Sequence, residues 1–188
     1  MPILGIMASQ ISGHLWAPEG AYDSLATVTV PSGGAASIDF VGIPSGYKHL
    51  QIRAITRDTD SGGFGLTTTL RFNSDTGANY SWHWLYGTGS GSGAANAGAS
   101  ATSTALGWTT GTAGTASSYA AIVLDILDYA DTNKYKTHRQ LYGIDLNGSG
   151  GIWLSSGSWR NTAAITSITL NQQASFAQYS SFALYGVK

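Results

Sequence analysis

The chain has 188 residues, a formal net charge of −1 and no cysteine; 43% of it is apolar and only 10% charged. That length supports one domain with a real core, and the missing cysteines exclude disulfides, thiolate metal sites and thiol nucleophiles. Nine Lys and Arg without a basic run argue against a nucleic-acid face, and no apolar run approaches the ~18 residues of a helical membrane span.

The first stretch, "MPILGIMASQISGHLWAPEG", has neither a basic start nor a clear cleavage site, so it does not read as a signal peptide. Its apolar residues, including Ile3, Leu4, Ile6, Ile11, Leu15 and Trp16, follow no clean period. An apolar, irregular terminus of this kind docks on something. Residues 1–22 are therefore assigned to a docking arm, and 23–188 to a single domain.

From "SLATVTV" onward the period is two. In "YKHLQIRAITR", Leu50, Ile52 and Ala54 share one face and His49, Gln51 and Arg53 the other. In "GLTTTLRFN", Leu66, Leu70 and Phe72 alternate with Thr67, Thr69 and Arg71. "SWHWLYG" concentrates aromatics: Trp82 and Trp84 share a face, His83 and Leu85 the other. With Leu85 toward the core, both tryptophans would face outward at a contact surface. Residues 87–118 are rich in Gly, Ser, Ala and Thr and read as one long loop with a short strand around "STALGW". "SSYAAIVLDILDYADTNKYK" is the best helix candidate. Its short continuous apolar run, ended by Asp131-Thr132-Asn133, favours a buried strand instead. "AITSITL" sets Ile168 and Leu170 together, and "YSSFALYGVK" reads as a strand buried on both faces. Turn signals such as Pro44-Ser45-Gly46, Asp75-Thr76-Gly77 and Asn147-Gly148 separate the runs. The result is about ten short strands at the spacing of an all-β sandwich or barrel, and an antiparallel β-sandwich is the expected fold.

Catalytic signatures are weak. His14, His49, His83 and His138 form no metal-ligand spacing, and neither metal nor cofactor is called for. Asp125 and Asp128, three apart on a strand, face opposite sides and make no carboxylate pair. Asp125 reads as buried against a backbone donor or an arginine such as Arg139 or Arg53, and Asp128 as the end of its strand. "GTGSGSG" lacks the Lys-Ser/Thr of a phosphate loop. The aromatics are the strongest lead. Trp82, Trp84, Tyr86 and Trp108, with Ile6, Ile11, Leu15 and Trp16 of the arm, form the candidate contact surface, either for a neighbouring protein or as stacking platforms for sugar rings.

Several phrases in one order carry a resemblance: "LGIMASQISGHL", "IPSGYKHLQIRAITR", "RFNSDTGANYSWHWL", "LDILDYADTNKYKTHR", "SGSWRNTAAITSITL" and "QYSSFALYGVK". Together they resemble a family of small bacteriophage structural proteins and tail-fibre-like modules found in phages of aquatic bacteria. The resemblance runs from about residue 4 to the C-terminus and is least over 87–118. It implies a jelly-roll-like sandwich in a virion protein, made in the host cytoplasm and carried on the particle exterior without enzymatic activity or cofactor. Expected partners are other virion proteins and a host surface glycan, and a homotrimer built through residues 1–22 or the Trp82/Trp84 face is the favoured assembly. A tail-fibre or baseplate role with host contact is the first expectation. Head decoration is the alternative, and a lectin-like carbohydrate-binding module the second.

Overall fold

The computed structural model describes residues 20–90 and 93–188. Twelve strands follow in order: β1 (Tyr22–Thr29), β2 (Ala35–Val41), β3 (His49–Thr56), β4 (Phe64–Phe72), β5 (Tyr80–Gly87), β6 (Ala94–Ala101), β7 (Thr104–Thr110), β8 (Ala120–Leu127), β9 (Lys136–Asp145), β10 (Gly150–Trp159), β11 (Ser167–Phe176) and β12 (Ser181–Val187). They make two antiparallel sheets, with orders β1-β12-β3-β8-β9-β10-β5-β6 and β2-β11-β4-β7. Among β1–β4, β7, β8, β11 and β12 the chain crosses between the sheets at every step except from β4 to β7, which pair within the smaller sheet. The two four-strand orders, β1-β12-β3-β8 and β2-β11-β4-β7, are those of a jelly-roll winding. The hairpins β5–β6 and β9–β10 are inserted into it and double the width of the larger sheet.

The core follows from period-two patterning. Leu50, Ile52 and Ala54 on β3 line up with Ile126, Leu124 and Ile122 on β8, and all six are buried. The apolar run at 122–127 is a strand because β3 and β9 flank it on both sides. Facing them from the smaller sheet are Ile38, Phe40, Leu70, Phe72, Ile168 and Leu170. Strand β12 differs from the sequence expectation: Phe182 and Leu184 are buried, while Ala183, Tyr185 and Val187 are only half-buried. Among the described residues no second layer lies over their side of the sheet.

The segment 87–118 also differs from a single long loop, because it contains both β6 and β7. The expected short strand at "STALGW" is β7. Small side chains explain β6. Gly98 lies opposite Trp82, and a Cβ there would come within 2.5 Å of the indole. Past β7 the chain is held by a side chain. The Arg57 guanidinium donates to the carbonyls of Thr112, Gly114, Thr115 and Ser118 at 2.9–3.2 Å. Its neighbour Asp58 is fully buried and does the reverse. It accepts from the Leu66 and Asp60 amides at 2.8 and 3.0 Å, from Thr109 Oγ1 at 2.6 Å and from Gln172 Nε2. A buried carboxylate survives because its acceptors are filled.

The arm positions Ile6, Ile11, Leu15 and Trp16 lie outside the described residues. Tyr22, the last residue assigned to the arm, opens β1 and pairs with Val187.

Candidate functional site

Strand β5 is turned opposite to the expectation. Leu85 is 58% exposed, whereas Tyr80 is fully buried and Trp82, Trp84 and Tyr86 are half-buried. The aromatic side is the inner one. Trp153 is buried there between Tyr142 and Tyr86, with centroids at 4.7 and 5.8 Å and nearly parallel rings. Trp108 meets it edge-on at 5.4 Å. Such ring pairs contribute about 0.5–1.5 kcal/mol each beyond their buried area, so the aromatics gain more by facing inward than leucine would. Trp82 and Trp84 stack on each other at 4.3 Å. The structure thus joins Tyr86 and Trp108 in one interior cluster and sets Trp82 and Trp84 apart as a pair.

Inner positions of β9 carry polar groups. His138 is fully buried, its Nε2 3.0 Å from Thr104 Oγ1. Burial pushes its pKa down to about 4. Lys136 is also fully buried, and its ammonium donates to the carbonyls of Asp131, Lys134 and Thr162. Burial lowers its pKa from the ordinary lysine value. Gln140 donates to Leu106 O. These contacts hold all three polar side chains in the interior between the sheets. Among the described residues no group of three or more His, Cys, Asp or Glu is placed to hold a metal ion.

The outer face of the larger sheet is different. Leu85, Leu154, Leu141 and Val123 are direct cross-strand partners on β5, β10, β9 and β8, and are 58, 52, 49 and 42% exposed. Ile152 and Ile55 stand exposed in the adjacent row, separated by Gly143 and Ala121. Beside Leu85 and Leu154 runs a groove of about 750 Å³, lined also by His83, Ala95, Ala97 and Arg139.

Toward β1 the same face becomes polar. Arg139 Nε donates to Asp125 at 3.1 Å, Gln51 Nε2 donates to Asp125 at 2.7 Å, and Arg53 Nε donates to Gln51 Oε1 at 2.7 Å. The Arg53 guanidinium lies 5.0 Å from the ring centroids of both Tyr22 and Tyr185. Asp125 thus pairs with Arg139, as the sequence suggested, but at the surface. Asp128 ends its strand and pairs with Lys134 and Lys48 at 2.5 and 2.9 Å. Hydrogen bonds from Lys134 and then Lys48 hold its carboxyl at about 2.

The aliphatic row escaped sequence reasoning because it exists only in the register: β5 and the consecutive strands β8, β9 and β10 each contribute one side chain. The usable signal was the strict alternation of β9 and β10, which forces Leu141 and Leu154 away from Tyr142 and Trp153.

No family model, curated protein or solved structure matches this chain. No helix among the described residues is long and apolar enough to cross a membrane.

Proposed function

We propose that this chain is a non-enzymatic structural protein of a bacteriophage virion, carried on the particle exterior, in or beside the tail fibre or baseplate, where it contributes to host contact. The observation that supports a contact role is the outer sheet face, where six large aliphatic side chains from five adjacent strands stand exposed on one plane. A surface of that kind favours apposition to another protein over capture of a small substrate. The six phrases spread along the chain supply the phage part of the reading. Head decoration is the second reading, favoured by the same flat face, which suits apposition to a capsid lattice. Glycan stacking has less support, since Trp82 and Trp84 each give one ring face to the other.

The test is to locate the chain on purified particles by cryo-electron microscopy with labelled antibody fragments. Label at the tail or its fibres is the expected result. Label over the head replaces the tail role with decoration. Particles that carry no label overturn the virion reading.

A further inference from the structure

We infer that the outer face of the eight-stranded sheet is a self-association surface, and that its occupant is the same face of a second copy of this chain. The argument starts from area. Leu85, Leu154, Leu141, Val123, Ile152 and Ile55 are each 42–58% exposed, together roughly 600 Å² of aliphatic surface, the top of the range for the largest patch on a monomer. Eight strands at ~4.8 Å spacing make a face about 35 Å wide. Such a face meets the ~800 Å² that each partner contributes to a stable interface. The chain carries few charges with which to keep that surface in water, at 10% of its residues.

Self-complementarity selects a second copy over an unrelated partner. The aliphatic patch and the groove lie side by side on one face. The groove is walled by Leu85 and Leu154 and lined on β6 by Ala95 and Ala97, whose short side chains leave room for a side chain from outside. Val123 and Ile55 lie beyond its lining. A twofold rotation brings Val123 and Ile55 of one copy over the groove of the other, and the reverse, which is the condition for a closed isologous interface. The charges on this face are engaged within each copy: Arg139, in the groove lining, donates to Asp125, and Arg53 donates to Gln51, which itself donates to Asp125, which lessens like-charge repulsion between two copies. This inference does not depend on where the chain is carried.

The experiment is the solution mass of the full chain by light scattering and sedimentation at micromolar concentration, against the 19.5 kDa of one chain. Wild type is expected at twice that mass. Leu141→Lys and Leu154→Lys, tested separately, are expected to fall about two-fold in mass with unchanged circular dichroism, because a half-exposed strand position lets the ammonium reach water. Val41→Lys, on the smaller sheet at 78% exposure, is expected to keep the wild-type mass. A wild-type monomer overturns the inference, including a monomer whose outer face is protected from hydrogen exchange by its own residues 1–19. Lysine variants that fold and keep the wild-type mass overturn it as well.

Discussion

On β9, Lys136, His138, Gln140, Tyr142 and Ile144 face inward and are buried, while Thr137, Arg139 and Leu141 face outward and are exposed. On β5, Tyr80 and the two tryptophans take the inner side and His83 and Leu85 the outer one. The two faces of one sheet therefore do not divide into apolar inside and polar outside. What decides the side is whether the fold offers a partner. Lys136 finds three carbonyls, His138 finds Thr104, and Trp153 finds two parallel rings. Among the described residues the outer leucines meet one another, Val123 and Ala95 across the strands. A ledger by residue polarity would misplace both sets; the partners of Lys136, His138 Nε2 and Trp153 account for much of the inner one.

Three measurements sharpen or break this contrast. The largest effect is expected for Trp153→Ala, which removes the ring between Tyr142 and Tyr86 and leaves a cavity at a fully buried position. It is expected to lower stability by about 3–5 kcal/mol in urea unfolding. A loss below about 1 kcal/mol would mean that the inner stack does not organise the sheet. Next comes acid. The His138 pKa is lowered to about 4 in the fold, against ~6.5 when unfolded. Its contribution is fully present above the unfolded value and is lost as pH falls from there through the folded value. Stability should therefore decline by about 3 kcal/mol between those two pH values, and His138→Gln should flatten that part of the profile. An equal slope in both proteins would remove the assignment. Smallest is Leu154→Thr on the outer face, expected to change the unfolding free energy of the dissociated chain by about 0.5 kcal/mol or less. A loss of 2 kcal/mol or more, the range of a buried leucine, would show that this side is core.

Much of the fold was legible from alternation and turns. Strands β3, β8 and β12 could be read from Leu50/Ile52, the run at 122–127 and Phe182/Leu184, and an all-β sandwich follows from their number. Segment 94–101 was not legible as β6, because Ala, Gly and Ser carry little strand propensity. Only the pairing with β5, and the fit of Gly98 under Trp82, makes it a strand. The side of β5 was misjudged for a related reason. Leucine and tryptophan are both apolar, so the pattern alone leaves two orientations, and the parallel rings of Tyr142 and Trp153 on neighbouring strands decide between them. Arg57 and Asp58 gave no periodic signal at all, since their partners lie in other parts of the chain.

The pairing of β1 with β12 has a consequence for how this sandwich can be carried. Tyr22 stands opposite Val187, and the Lys188 amide donates to the Ala21 carbonyl at 3.2 Å. The backbone thus comes into the domain and goes out of it at neighbouring points, about one strand spacing, ~4.8 Å, apart. A domain with that geometry can be spliced into a surface loop of another protein without prying the loop open. It can also be circularised by a short linker and reopened at an exposed turn, such as Asn147–Gly148, with its strand order intact.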